Sequence, residues 1–399
     1  MVVIIWICLA IIFYNYIGYG IILMLITGIK RLAKASNSTK TAKKNGCDEF
    51  PAVTVVVAAY NEEDIIEKKI HNCLSLNYPL DKISFIFITD GSEDSTPTIV
   101  AQYPQIHLLH QSARQGKTAA LNRAMEFVST PITIFCDANA MLNKSAICRL
   151  VRHYQDLKTG GVSGEKKVII KNSLGSSETC EGFYWKYESL LKRLDSELYT
   201  VAGAAGELFS IRTSLWAPLP KNIILDDFVI STRINFNGYR IAYEPHAYAS
   251  ELPSVSIEEE RKRKVRMSAG AFQAMLYLKQ IFNVFEHPVL FFQFFSHRIL
   301  RWTLTPLSFP TLLITNILAL IYSGNQFLFI LLILQMLFYL VVAIGALFNS
   351  GSGFSKPFRL CYYLVFMNWT VYLGFWRFLR GKQSVVWEKA KREELAMPI

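Results

Sequence analysis

The chain is poor in paired cysteine. Its seven cysteines (Cys8, Cys47, Cys73, Cys136, Cys148, Cys180 and Cys361) are odd in number and scattered over 399 residues, with no Cys-x-x-Cys spacing. That excludes a disulfide framework and a zinc-ribbon site. No Asp, Glu, Lys or Arg occurs from Val2 to Gly28, and none from Thr303 to Phe348. With hydrophobic residues at 52%, these runs exclude a purely soluble chain. Glycine is missing where a dinucleotide fold needs it: the turn after the first apolar run reads Ala58-Ala59-Tyr60-Asn61-Glu62. NAD binding is excluded on that ground. Arg114-Gln115-Gly116-Lys117-Thr118 imitates the end of a phosphate loop, but Gln111 stands where its first glycine belongs, so a Walker motif is rejected. Acids are fewer than bases, 31 against 42, giving a net charge of +11. The bases crowd beside apolar segments rather than across a soluble face, which argues against nucleic acid as a partner.

What is present falls into membrane and soluble parts. Val2 to Gly28 reads as a membrane helix with its N-terminus outside, because Lys30, Arg31, Lys34, Lys40, Lys43 and Lys44 follow it before the first acid, Asp48. A signal peptide would carry its charge ahead of the apolar run. Ser323-Gly324-Asn325-Gln326 splits the late uncharged stretch into a hairpin of two spans, and Leu360 to Trp376 is a third run just long enough to cross. Three late spans would put the basic tail (Arg377, Arg380, Lys382, Lys389, Lys391, Arg392) outside, against the positive-inside rule. Either one late segment is re-entrant or interfacial, or the tail is an exception. Ser268 to Trp302, apolar but broken by charges, reads as helices in the membrane interface.

Between Cys47 and Met267, β-branched runs alternate with helical stretches. Thr54 to Ala58, Ser84 to Thr89, Ile106 to Leu109 and Ile132 to Cys136 read as strands, with Asn61 and Ser95 or Thr96 as helix caps and a helix from Lys117 to Val128. The alternation predicts a parallel, doubly wound α/β sheet. In such sheets ligands bind beyond the carboxyl ends of the strands, which brings Tyr60-Asn61-Glu62, Asp90-Gly91-Ser92 and Asp137-Ala138-Asn139 to one edge.

Asp137 and Asn139 offer two side-chain oxygens on one side of an extended segment, as a Mg²⁺ or Mn²⁺ ion held against a diphosphate requires; an Asx turn is the plainer reading. Lys117, at a helix start, suits a phosphate contact or a solvated lysine. In Leu225-Asp226-Asp227-Phe228 either Asp226 caps a helix, or the like-charged pair raises the carboxyl of Asp227 toward a general base. Val201 to Arg212 packs small residues for close backbone approach to a ligand, or turns tightly into a strand. Arg261-Lys262-Arg263-Lys264-Val265-Arg266 offers a lipid-headgroup patch, with Arg266 and Arg263 able to turn inward onto a leaving diphosphate.

In order, AAYNEE, ITDGSEDST, GKTAALN, CDANA, GAAGELF, LDDF, RKVRMSAG and WEKAKR resemble the membrane-bound family 2 inverting glycosyltransferases, which include hyaluronan, cellulose, chitin and poly-N-acetylglucosamine synthases. The resemblance spans nearly the whole chain. It implies an α/β GT-A (Rossmann-like nucleotide-sugar-binding) cytoplasmic domain plus α-helical transmembrane segments. Tyr60, Glu62, Asp90, Lys117, Asp137 and Arg263 would then bind the nucleotide-sugar, and Asp137 with Asn139, in place of the family's second aspartate, would hold the metal. Asp227, paired with Asp226, would deprotonate the acceptor, and Arg266 matches the arginine of the QxxRW motif. Arg263 stands where the family has Gln and Met267 where it has Trp, departures that bear on polymerisation.

The chain thus divides into an N-terminal membrane helix (1–29), a basic linker (30–47), the GT-A domain (48–267), interfacial helices (268–302), about three membrane helices (303–377) and a basic tail (378–399). The expected activity is transfer from a UDP-sugar to a growing polysaccharide or glycan at the cell membrane, with Mg²⁺ or Mn²⁺ and coupled to export. Single-sugar transfer to a lipid carrier is the alternative enzyme. A transporter with a nucleotide-binding regulatory domain is the alternative of another class. Partners on the first reading are the donor, a glycan or lipid-linked acceptor, membrane lipids and an accessory export subunit.

Overall fold

The computed structural model describes residues 1–37, 50–169, 176–253, 256–347 and 356–381. The linker beyond Asn37, the basic tail beyond Gly381 and the WEKAKR motif lie outside the described residues.

Strand β1 (Val53–Ala59) is buried along its whole length. Its alternate side chains divide between two cores: Val53, Val55 and Val57 face helices α3 (Glu63–Leu74), α4 (Thr96–Ala101) and α6 (Ala146–Val151), while Val56 and Ala58 face α5 (Lys117–Met125) and α8 (Asp226–Phe236). A strand covered on both faces must be apolar throughout, which is why this one was legible. β1 pairs in parallel with β2 (Ile83–Asp90) and β4 (Ile132–Asp137), and β2 with β3 (Ile106–Gln111). All four point the same way, so their carboxyl ends meet at one edge.

Beyond β4 the expected parallel sheet turns mixed. β7 (Leu208–Arg212) runs antiparallel to β4 and to β6 (Thr159–Val168); β6 runs parallel to β8 (Arg240–Glu251), and β8 antiparallel to β5 (Met141–Leu142). The order is β3-β2-β1-β4-β7-β6-β8-β5. β6 lacked a strand signature because it must be thin: a Cβ on Gly160 would stand 2.6 Å from Ile234 Cγ2, and one on Gly161 2.8 Å from the carbonyl oxygen of Ser210. Nor does Asn61 cap α3. Its φ is +51°, and its side-chain oxygen accepts from Glu93 N (2.9 Å), tying the loop after β1 to the loop after β2.

The first membrane helix is continuous from α1 (Val2–Phe13) through a π-type turn, Tyr14–Gly18, into α2 (Tyr19–Asn37). α2 packs on α7 (Ser176–Leu198) through a buried polar network: His297 lies between Asp195 (2.6 Å) and Glu188 (3.2 Å), Tyr19 donates to Asp195, and Arg301 pairs with Glu188. The boundary expected at Met267 falls inside one helix, α9 (Ile257–Tyr277), capped by Ser256 and opened by Glu258-Glu259-Glu260. These acids pair one turn on with Arg261, Lys262 and Arg263, and Glu260 also with Lys264, so the basic run is not a free cationic patch. The interfacial stretch continues as α10 (Pro288–Phe294) and α11 (Leu300–Trp302).

The hairpin appears as α12 (Leu304–Ser323) and α13 (Gln326–Leu347) around a left-handed Gly324. Among the described residues three helices are long and apolar enough to cross a membrane: Val2–Ala33, Leu304–Ser323 and Gln326–Leu347. The run from Leu360 to Trp376 forms α14 (Lys356–Leu379), which is not one of them. Near its start Phe358 and Tyr362 meet Gly345, at the end of α13; near its finish Tyr372 donates to Pro306 O (2.6 Å), at the start of α12. Those two levels are the same foot of the hairpin, so α14 lies across that foot.

α14 also grips α9. Phe375 and Phe378 pack on Phe272, and a Cβ on Gly374 would stand 2.4 Å from Ser268 Cβ and 2.9 Å from Ala269 N. Overpacking of this kind costs about 1–3 kcal/mol. Gly374→Ala is therefore expected to lower the thermal midpoint in detergent by several degrees; an unchanged midpoint would show that the helices do not touch as described.

Candidate active site

The site forms where the four parallel strands end. Asp90, the last residue of β2, is fully buried, and its Oδ2 accepts from Gln115 N (3.0 Å) and Gly116 N (2.6 Å). Its carboxylate therefore shapes the loop that starts α5. Gly116, at φ +96°, makes the sharp entry that only glycine adopts readily, and Lys117 follows as the first helical residue.

Lys117 Nζ lies 2.7 Å from Asp137 Oδ1, at the end of β4, and 3.7 Å from Asp226 Oδ2, at the start of α8. Burial opposes the ammonium, but Asp137, Asp226 and Asp227 outweigh it and hold its pKa above the usual lysine range. The loop before Asp226 is pinned from two sides. Asn122 of α5 exchanges two hydrogen bonds with Leu219 (2.8 and 3.0 Å), and Gln273 of α9 bonds Asn222 O and Ile224 N.

Asp226 does not cap α8; it occupies the first turn, and its Oδ2 is buried with no hydrogen-bond partner among the described residues. Asp227 accepts from Phe228 N (2.8 Å) and lies against Gly206, where an added Cβ would be 3.0 Å from its Oδ2. Burial first, then the like charge of Asp226, push the Asp227 carboxyl up to about 7, against the opposing pull of Lys117. That places a proton acceptor in the range a general base needs.

The other expected residues separate into groups. Tyr60 is covered by Arg114, whose guanidinium stands 3.4 Å over the ring. Glu62 sits at the cap position of α3, with its N–H donated to Thr96. Arg266 is half-buried; burial first lowers its pKa, and Asp226, Arg377, Asp137 and Arg114 all act on it. Arg263 keeps other company: it is bidentate to Glu260 and acts with Glu251 and Glu207. Reading the sequence alone missed Arg114 and Arg377. Arg377 was hidden because its helix reads as a span, whereas α14 carries it within electrostatic reach of Arg266.

Among the described residues no group of three or more His, Cys, Asp or Glu could hold a metal by itself. The donors present are hard oxygens: the partly open carboxylate of Asp137, the neighbouring amide of Asn139 and the Asp226 Oδ2, which pairs with Lys117 at 3.7 Å but accepts no hydrogen bond among the described residues. That set suits Mg²⁺ or Mn²⁺ bound through one or two carboxylates with phosphate oxygens completing the shell.

A mixed sheet with a parallel half and polar residues at its strand ends is the architecture of a GT-A fold. Residues 54–215 match the family model described as Glycosyl transferase family 2. It is similar to poly-beta-1,6-N-acetyl-D-glucosamine synthase of Staphylococcus aureus strain MSSA476, at 28% identity over 244 residues, 57% of each chain. The synthase of Staphylococcus epidermidis is 26% identical over 245 residues, 58% of each. The match thus spans a little over half the length of these curated relatives. The fold is also that of mannosyltransferase PcManGT from Pyrobaculum calidifontis, solved with GDP-Man and Mn²⁺: TM-score 0.68 and 21% identity over 95% of this chain and 99% of that one.

An acid with its pKa raised to about 7 is a working base only above that pH. In kcat/KM profiles of the purified protein, activity is expected to fall about tenfold per pH unit below the midpoint. Removing the like charge with Asp226→Asn should move that midpoint to lower pH. A profile flat from pH 5 to 8 would remove Asp227 as the base.

Proposed function

We propose that the chain is a membrane-embedded inverting glycosyltransferase that moves a sugar from a UDP-sugar to a glycan acceptor. One observation carries this reading: a carboxyl raised to about 7, beside a lysine shared with the acidic strand end where a diphosphate would lie. Asp227 takes the proton of the acceptor hydroxyl. That oxygen bonds to the anomeric carbon as the carbon's bond to the phosphate oxygen breaks, and the nucleoside diphosphate leaves with the electron pair. One displacement inverts the configuration. Lys117 and Arg266, with Arg114 and Arg377 near them, offset the charge gathering on the leaving group. A divalent cation held by Asp137 and Asn139 would supply further charge neutralisation there. Tyr60 stacks on the nucleoside base once Arg114 turns to the phosphates, and Glu62 lies beside it.

The names of the staphylococcal relatives make UDP-N-acetylglucosamine the first donor to try. In the membrane we place three crossings, Val2–Ala33, α12 and α13, with α14 in the interface. This puts the catalytic domain, the foot of the hairpin and the basic tail on the cytoplasmic side, as the positive-inside rule prefers. Lipid contacts fall to the exposed apolar faces of α12 and α13.

The test is UDP release by the detergent-solubilised protein from UDP-sugars with Mn²⁺, beside Asp227→Asn. The wild type is expected to turn over one donor. The variant should lose about 100-fold or more in rate while binding UDP within about twofold of wild type. Normal turnover by the variant would remove Asp227 as base, and no turnover by the wild type would end the reading.

A further inference from the structure

The loop from Val201 to Gly206 lies against the base. A Cβ on Gly206 would stand 3.0 Å from Asp227 Oδ2, and one on Gly203 would stand 2.7 Å from the ring of Phe228, the residue whose N–H binds Asp227 Oδ1 at 2.8 Å. Gly203 also has φ +95°, so the turn and the ring both require glycine there. Four hydrogen bonds tie down the backbone of this loop. Val201 N donates to Ile241 O on β8 (3.0 Å), Ala204 N to Ser231 Oγ on α8 (3.2 Å) and Ala205 N to Ser163 Oγ on β6 (3.0 Å), while Ala202 O accepts from Arg298 Nε (2.7 Å). Ser231 in turn donates to Asp227 O (2.7 Å), so the loop and the start of α8 move as one piece.

Three of those partners belong to the sheet and its helices. Arg298 does not: it sits on the π-type turn Phe295–Ile299, between α10 and α11 and just ahead of the span α12. Turns of this kind inside helices often mark functional positions. This one is itself anchored, because His297 lies between Asp195 and Glu188 of α7, and the residues flanking the turn, Phe294 and Trp302, pack on the Phe228 ring at 5.6 and 5.4 Å between centroids. Arg298 also stands 3.9 Å from Glu188, but that carboxylate already has Arg301 and His297. The bond to Ala202 is therefore its distinctive contact. Ala202 is fully buried, so water does not readily replace the donor to its carbonyl.

We propose that Arg298 is a positioning residue for the transfer step: through Ala202 it holds the 201–206 loop against Asp227, and so ties the placement of the base to the interfacial segment. This rests on the glycosyltransferase reading. A base must stand within hydrogen-bond reach of the proton it takes, and a misplacement of about 1 Å can cost about 100-fold in rate. The nucleotide edge is built by other elements, the ends of β2 and β4 and the start of α5, and does not depend on this bond.

The experiment uses the full chain in detergent with UDP-N-acetylglucosamine and Mn²⁺, reading kcat and donor KM from UDP release and UDP affinity by calorimetry. Arg298→Met keeps the length of the side chain and removes both donor and charge; Arg298→Gln removes the charge but sets an amide N–H where Nε stands. The Met variant is expected to lose about tenfold or more in kcat, with donor KM and UDP affinity within about twofold of wild type, and the Gln variant to stay within about threefold in all three. Unchanged kcat in the Met variant would overturn the proposal. So would a matching loss of UDP affinity, which would show general distortion, or equal losses for Met and Gln, which would assign the effect to the ion pair with Glu188. Should Arg298→Met fail to fold, Ser163→Ala loosens the same loop from β6 and is expected to lower kcat about threefold at unchanged UDP affinity; unchanged kcat would count against the loop. If the wild type releases no UDP from any donor, the glycosyltransferase reading fails first; if it turns over and these variants do not slow it, only the positioning role fails.

Discussion

The ion pair between Lys117 and Asp137 is the constraint on which the site depends. Three carboxylates, Asp137, Asp226 and Asp227, approach one edge of the sheet, and without a cation among them they would repel one another in a buried setting. Lys117 supplies that cation at 2.7 Å from Asp137 and 3.7 Å from Asp226. Asp90, bonded to Gln115 N and Gly116 N, sets the loop from which the lysine emerges. Burial and the like charge of Asp226 raise the Asp227 carboxyl to about 7, and the pull of Lys117 offsets only part of that rise. A diphosphate at this edge would offer Lys117 a further anion, and Asp137 is the carboxylate that would hold a divalent cation beside it.

The membrane part is built into this arrangement. α9 carries Arg266 and, through Gln273, fixes the loop before Asp226. α14, stretched across the foot of the hairpin, touches α9 through Gly374 and carries Arg377 within electrostatic reach of Arg266. On the other side the His297 network joins α2 to α7, and Arg298 donates to Ala202 O in the loop that leads to Gly206. Elements that flank the long apolar helices, α9, α14 and the turn carrying Arg298, therefore reach the crevice from two sides.

Much of this was legible in the sequence. β1 and β4 are apolar because both faces are covered, and the polar residues following the parallel strands had to fall on one edge. Asp137, Lys117, Asp226 and Asp227 were singled out and do converge. The mixed half of the sheet was not legible: β6 is glycine-rich and β8 carries charges, and neither the strand pattern nor the direction of β7 is encoded by local periodicity. Asp90 and Arg263 were expected to face a nucleotide. Asp90 holds the loop at Gln115 and Gly116, a pairing set by tertiary packing, while Arg263 pairs one turn back with Glu260 on its own helix, a local contact that helical spacing allows. Arg377 was hidden for a related reason, since an aromatic, uncharged run reads the same whether it crosses a bilayer or lies along it.

Calorimetric titration of the detergent-solubilised chain with UDP tests directly whether this edge is a metal-assisted nucleotide-diphosphate site. Binding is expected in Mn²⁺, weakened about tenfold or more when EDTA replaces the metal. Absence of heat in both buffers, or equal affinity in both, would contradict it.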